Sequence, residues 1–324
     1  MKAILCETLG PPSNLTFKEV PDLTPGPDEI LIEVKACAVN FPDTLIIRGL
    51  YQFKPDLPFS PGSDVSGIVK AVGAEVKHLK PGDEVFGVTG HGGMAEQVVI
   101  KKSNVFPKPP GMDYKIAASF LYAYGTSLHA LKDRAKVQKG ETVVIMGAAG
   151  GVGLAAVDLA KRLGAKVIAC ASTQEKLDLC KTYGADETIN YTTEDLKNRI
   201  KELTGGKGAD VIYDPVGSSY TEKALRAMAW KGRYLVVGFA AGEIPKIPLN
   251  LALLKGCAIV GVFWGRFAKE EPQNNMANSL QIFDWFSKGE IKPHIHKVFS
   301  LEQAPMAIQE LMDRKVLGKV LVEV

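Results

Sequence analysis

From residue 141 onward, short and almost continuously apolar runs alternate with stretches whose apolar residues recur at helical spacing. The runs at 141–146, 166–171, 187–190, 211–214, 234–238 and 258–263 predict six strands. The stretches at 153–163, 173–183, 193–203 and 219–230 predict helices between them, with Thr173 and Thr193 as N-caps of the second and third. Strands without an alternating polar face are buried on both sides, so this half predicts a parallel sheet covered by right-handed helical crossovers. Residues 1–122 have a different texture. Brief β-rich runs at 30–38, 66–72, 83–88 and 96–100 are separated by proline-bearing segments such as VPDLTPGPDE, KPDLPFSPGSD and FPKPPGMD, which predicts an irregular β domain. Helices at 279–287 and 303–313 and a closing strand at 319–324 complete the reading.

Composition adds exclusions. A chain of 324 residues suits two domains of ordinary size. With 46% hydrophobic and 23% charged residues, wholesale disorder is out. The net charge of +3, with both signs scattered, offers no basic face for nucleic acid or an anionic membrane. The five cysteines, Cys6, Cys37, Cys170, Cys180 and Cys257, lie far apart with no CxxC pair, which argues against a disulfide framework or a cysteine zinc cluster. No cationic segment followed by a long apolar one opens the chain, and the apolar run at 142–157 is broken by glycines and too short for a membrane span. A cytoplasmic protein is expected.

The strongest motif is Gly147-Ala148-Ala149-Gly150-Gly151-Val152-Gly153, between the first apolar strand and its helix. Glycines there let backbone approach a pyrophosphate, which the helix N-terminus stabilises. Ala148 replaces the first glycine of GxGxxG, and no Gly-Lys-Ser/Thr follows to indicate a nucleoside triphosphate loop. The contacts fall to Ala149, Gly150, Gly151 and Val152, and the ligand read from the motif is a dinucleotide. At the end of the second strand, where an NAD site offers a carboxylate to the ribose 2′-hydroxyl, this chain has Ser172. With Lys176 one turn on and Tyr191 after the third strand, the set suits the 2′-phosphate of NADPH.

Further stretches carry a family resemblance: Val39-Asn40-Phe41-Pro42-Asp43-Thr44, Arg48-Gly49-Leu50-Tyr51, Pro61-Gly62-Ser63-Asp64-Val65-Ser66-Gly67, Gly125-Thr126, AAGGVG, and Val260-Gly261-Val262-Phe263-Trp264-Gly265. Over nearly its whole length the chain resembles the zinc-independent medium-chain dehydrogenase/reductases, and among them the quinone oxidoreductases. The resemblance implies an α/β fold with a doubly wound parallel Rossmann sheet and a GroES-like irregular β domain. The GroES-like domain is expected to take residues 1–122 and 267–324, and the NADPH-binding Rossmann domain 123–266. It also implies a nicotinamide in an interdomain cleft and a homodimer joined through sheet edges, with 258–264 as the edge.

Zinc-dependent relatives place a cysteine-histidine pair where Asn40 and Phe41 stand and Gly-His-Glu where Gly62-Ser63-Asp64 stand, so no metal is expected. The histidines His91, His129, His294 and His296 supply no evident third ligand. By resemblance, Asn40, Tyr51 and Thr126 border cofactor and substrate and form the catalytic set, with Tyr51 donating a hydrogen bond to the reduced oxygen and Asn40 orienting. Asp43 is read as a structural carboxylate of its loop. Gly238, Phe239 and Ala240, and Phe263 with Trp264, stand at strand C-termini where such sheets bind ligand, the two aromatics being equally suited to core or interface packing. Leu45 replaces a tyrosine of some bacterial quinone reductases, which makes the pocket more apolar.

The expected activity is NADPH-dependent quinone reduction by direct hydride transfer. A quinone accepts hydride to give a weakly basic, aromatic product without a Lewis acid. An enone, 2-alkenal or enoyl thioester is the competing acceptor, since hydride at its β carbon gives a delocalised enolate. A non-catalytic NADPH-binding redox sensor or structural protein is the reading of another class.

Overall fold

The structure, a computed structural model, describes residues 1–324. The chain divides into one unit of Met1–Tyr122 with Pro293–Val324 and a second of Ala123–Lys292. No helix is long and apolar enough to cross a membrane.

The second unit is built on six parallel strands: Thr142–Met146, Lys166–Ala171, Glu187–Asn190, Ala209–Asp214, Met228–Val236 and Ala258–Gly261. Across the sheet the order is third, second, first, fourth, fifth, sixth. The order reverses between the first and fourth strands, where doubly wound sheets open a ligand crevice at the strand C-termini. The first strand is buried over Val143, Val144, Ile145 and Met146, as its unbroken apolar run requires.

Local differences from the sequence reading have tertiary causes. The helix expected at 219–230 is Tyr220–Arg226, and the fifth strand begins at Met228. Met228 pairs with Ala209 and Arg233 with Val211, so the residues between form a bulge turned by Lys231 at φ 60°. Strand pairing thus overrides a helical run. Thr193 is not the cap of the next helix: Asp195 is, its side chain accepting the Asn198 N–H at 2.8 Å ahead of Leu196–Leu203.

The boundary expected at 266/267 lies at 292/293. Helices Trp264–Glu270 and Pro272–Ser287 stay with the second unit because their apolar and polar contacts are there. The Phe267 ring stacks on His129 with centroids 3.8 Å apart, and buried Asn278 accepts from Lys132 Nζ at 2.9 Å and donates to Asp133 at 2.7 Å.

The first unit holds a sheet ordered Ile295–Ser300, Lys319–Glu323, Glu29–Val39, Asp64–Val72, Glu84–Val88, Val105–Pro107, with Gln97–Lys101 also paired to Glu29–Val39. Only the first two are parallel to each other. The C-terminal strand thereby lies beside Glu29–Val39, placing Val320 opposite Val39. One apolar core, including Ile4, Ile32, Val65, Met94 and Val322, runs beneath these strands.

Candidate functional site

In the second unit the glycine loop joins the first strand to helix Gly151–Arg162. Gly147 turns it at φ 56°, and Ala148 N–H donates to Cys170 O at 3.0 Å. Gly150 is the N-cap and offers no side-chain acceptor to the first-turn N–H groups of the helix. At Gly153 a Cβ would fall 2.3 Å from Gly147 O, so helix and strand end touch backbone to backbone. Uncapped donors at a helix N-terminus behind a glycine turn fit a pyrophosphate.

The neighbouring strand ends supply the rest. Ser172 follows the second strand, and Thr173 caps helix Gln174–Thr182 by accepting the Lys176 N–H at 3.4 Å. Tyr191 N–H donates to Ala171 O at 3.2 Å, and Thr192 Oγ1 donates to Ser172 O at 3.3 Å, which brings Tyr191 beside Ser172. The Tyr191 ring lies against Tyr220, with centroids 4.6 Å apart. Ser172, Lys176 and Tyr191 are each half-buried at one end of the sheet.

Past the fourth strand the buried carboxylate of Asp214 accepts N–H groups from Val216 at 2.8 Å and Gly217 at 2.9 Å, and also the hydroxyls of Thr221 and Tyr234. It shapes the turn whose Val216 side chain abuts Gly147. Gly238, Phe239 and Ala240 run alongside, Ala240 N–H donating to Pro215 O at 3.0 Å.

After the sixth strand the two aromatics part company. Phe263 is 51% exposed, while Trp264 is 8% exposed, with its indole N–H donating to Asn275 at 3.0 Å. A Cβ on Gly125 would lie 2.9 Å from the Trp264 ring, so Trp264 packs directly on the helix that carries Thr126. That helix is tied to the glycine loop as well, for Ser127 Oγ donates to Val152 O at 2.8 Å and pairs with Tyr213 at 3.0 Å. Thr126 itself is buried.

The first unit gathers Asn40, Tyr51 and a set of groups that sequence reasoning left out. Asn40 caps helix Phe41–Ile46, its backbone N–H donating to Asp43 at 2.7 Å, and the other Asp43 oxygen accepts the Gly62 N–H at 3.0 Å. Asp43 thus holds two segments together. Burial pushes its carboxyl up to about 6 against these two donors. Asp64 is fully buried, and no group makes a well-formed hydrogen bond to either of its oxygens, although the Tyr122 N–H and the Asn40 side chain lie close enough to favour its charged form. Its carboxyl is driven up to about 7 by burial, against the attraction of Lys319. The ammonium of Lys319, also buried, donates to Asn40 Oδ1 at 2.5 Å.

Tyr51 and Tyr122 share a hydrogen bond, and burial raises both phenols, so both remain protonated at neutral pH. With Tyr122 as donor, the Tyr51 O–H is left to donate to a ligand. Phe53 stacks on His91 nearby in sequence, with centroids 5.8 Å apart, and burial lowers the His91 pKa. No three His, Cys, Asp or Glu side chains are grouped to hold a metal ion.

Asp64 belongs to the stretch Pro61–Gly67 that carries the family resemblance, and Lys319 lies outside every such stretch. The available signal was a lysine opening an otherwise apolar closing strand, Lys319-Val320-Leu321-Val322.

Comparison with known proteins agrees with this geometry. The alcohol dehydrogenase GroES-like domain model matches residues 26–110, and the zinc-binding dehydrogenase model matches 151–283. Quinone oxidoreductase-like protein 2 homolog of Nematostella vectensis is 41% identical over 324 residues, 99% of this chain and 88% of that one. The crystal structure of Escherichia coli quinone oxidoreductase complexed with NADPH superposes with a TM-score of 0.94 at 30% identity, covering 100% of both chains. That of CurK enoyl reductase gives 0.90 at 26% identity, over 99% of this chain and 98% of that one. With its glycine loop, its doubly wound sheet and relatives of this identity over its full length, the chain is an oxidoreductase and belongs to the zinc-independent quinone oxidoreductase family of the medium-chain dehydrogenase/reductases.

Proposed function

We propose that this protein is an NADPH-dependent quinone reductase, in which the second unit holds the dinucleotide. The observation that carries the reading is the clustering of Ser172, Lys176 and Tyr191 at one end of the sheet, where a serine replaces the carboxylate that would repel a 2′-phosphate. The NADPH complex of the E. coli relative supports it.

The glycine loop takes the pyrophosphate; Thr126 and the 238–240 segment border the nicotinamide end, and exposed Phe263 is the aromatic of its pair left to meet ligand. Bound there, NADPH supplies the hydride. Tyr51, protonated and with its O–H in hand, donates to the acceptor oxygen as negative charge gathers on it, and Asn40 orients the same oxygen. Water completes the protonation.

Titration of the purified protein with both dinucleotides should show NADPH bound at least tenfold more tightly than NADH. Tyr51→Phe should lower kcat/KM for 1,4-benzoquinone by about tenfold to a hundredfold, the loss expected of one hydrogen bond to a charged oxygen, while leaving NADPH affinity within about twofold. Tighter NADH binding, or a Tyr51→Phe enzyme of full activity, would reject the assignment. The likeness to an enoyl reductase favours a second reading, an enone, 2-alkenal or enoyl thioester acceptor. Higher specificity constants for cyclohexenone than for any quinone would select it.

We further propose a cytoplasmic homodimer. All five cysteines are unpaired thiols, as a reducing compartment keeps them. Strand Ala258–Gly261 ends its sheet with one edge open, and Ile259, Leu253, Leu254 and Leu249 beside it in sequence are exposed. Ile259→Lys should convert the particle from two-chain to one-chain mass in light scattering. An unchanged dimer mass would place the interface elsewhere.

A further inference from the structure

Two buried carboxylates and one buried ammonium surround the Asn40 side chain in the first unit. Lys319 Nζ lies 2.5 Å from Asn40 Oδ1. An ammonium only donates, so its partner is the amide oxygen, and the two ends of the Asn40 amide are thereby assigned. The backbone N–H of Asn40 is already committed to Asp43 at 2.7 Å. The Asn40 NH₂ group makes one long contact, to Ala38 O at 3.5 Å, at the outer limit of a hydrogen bond. The same NH₂ group favours the charged form of the neighbouring Asp64 carboxyl, so the Asn40 acceptor is occupied by Lys319 while its two N–H groups are shared between Asp64 and a long contact to Ala38 O.

The groups facing Lys319 are Asp43, Asp64 and the Cys37 thiol. Each of these acids, when ionised, attracts the ammonium, whereas burial opposes its charge. A positive charge bonded to an amide oxygen draws electron density from the amide nitrogen and makes its N–H groups stronger donors, more so where water is excluded. An amide polarised in this way stabilises an oxygen that becomes negative during reaction more than it stabilises the neutral carbonyl beforehand.

We propose that Lys319 is a positioning residue which, acting through the Asn40 amide, stabilises the negative charge that develops on a carbonyl oxygen of the acceptor. This rests on the placement of Asn40 at the acceptor given above. In the step, a hydride from the reduced nicotinamide forms a C–H bond with the conjugated ring or alkene using its own electron pair, the π pair of the conjugated system shifts onto the carbonyl oxygen, and that oxygen receives hydrogen bonds from Asn40 and Tyr51 before a proton from water neutralises it. The substrate class follows: conjugated carbonyls, quinone or enone, rather than isolated alkenes.

The test measures kcat and KM for 1,4-benzoquinone and cyclohexenone, NADPH affinity by fluorescence titration, and Tm, on full-length wild-type, Lys319→Met and Lys319→Arg proteins. Lys319→Met should lose at least tenfold in kcat for the acceptor that wild-type reduces, with KM and NADPH affinity within about twofold, because the lost interaction belongs to the transition state. Lys319→Arg, which keeps a charged donor, should recover most of the loss. A kcat within twofold of wild-type in Lys319→Met would overturn the inference. So would a parallel fall of kcat, NADPH affinity and Tm that arginine fails to restore, since that marks a purely structural lysine. Should Lys319→Met not fold, Asn40→Asp decides: it keeps an oxygen toward Lys319 and replaces the donor by an acceptor, so full kcat there would overturn the inference. A wild-type protein that reduces neither acceptor rejects the function and this inference together, whereas active wild-type with unaffected variants rejects this inference alone.

Discussion

Gly153→Ala is expected to lower NADPH affinity by at least a hundredfold and to reduce Tm. The new methyl group would sit 2.3 Å from Gly147 O and 2.9 Å from Ala148 Cα, both main-chain atoms that no rotamer change can move aside. Relief requires helix Gly151–Arg162 to back away from the strand end, and its uncapped first-turn N–H groups go with it. Overpacking of this kind costs about 1–3 kcal/mol of stability. The larger loss is in binding, because a pyrophosphate site depends on several N–H groups aimed at one place. Gly150→Ala provides the contrast. Its Cβ would meet nothing closer than Gly147 O at 3.4 Å, an ordinary contact, so the unliganded protein should keep its Tm. Any affinity lost there reports close approach of the ligand itself. Calorimetric titration of both variants checks this, and Gly153→Ala binding NADPH like wild-type would remove the glycine loop from the dinucleotide site.

The features legible from the chain are those written in local pattern. The six strands of the second unit announce themselves because each is buried on both faces, and the glycine loop because strand, turn and helix follow one another directly in sequence. Trp264 shows where legibility ends. As a residue it suits ligand or core equally, and only the contact with Gly125, far away in the chain, places it in the packing. The fifth strand fails for a related reason: residues 227–230 read as the end of a helix until Met228 finds Ala209. The Lys319 cluster was the hardest to see. Its members come from the start of a helix, two strands and the last strand, and Asn40 and Lys319 are separated by 279 positions. Each taken alone has an ordinary explanation, and the electrostatic frustration that marks the cluster exists only once the fold has brought one ammonium between two carboxylates.

That frustration has a measurable sign. Asp64→Asn is expected to stabilise the protein at pH 8 by a few kcal/mol, raising Tm by several degrees, with the gain vanishing as pH falls toward 4. The Asp64 carboxyl titrates at about 7 in the folded state against an ordinary value of 3.8, with burial as the cause and Lys319 as the main opposing influence. Between those two values the folded protein retains a proton that the unfolded chain has released, so stability declines as pH rises through this window and levels off above it. At about 1.4 kcal/mol per pH unit, the span sets an upper bound on the order of 4 kcal/mol at pH 8. An amide has no proton to lose and resembles the protonated acid in shape, so it avoids the penalty. The groups facing Asp64 that shape this balance are Lys319, the Tyr122 N–H and Asn40, which favour the charged form, and Asp43, which opposes it. Asp43→Asn should gain less at pH 8, because burial raises the Asp43 carboxyl only to about 6 and the amide disturbs its backbone hydrogen bonds. Its two oxygens each accept a backbone N–H, from Asn40 at 2.7 Å and from Gly62 at 3.0 Å, and an amide would turn its own NH₂ against one of them. The pair of variants, followed by thermal melts from pH 4 to pH 8, separates two accounts of the cluster. If Asp64→Asn melts below wild-type at pH 8, the ionised Asp64 and Lys319 form a net favourable pair, and the buried proton assigned to Asp64 is not there.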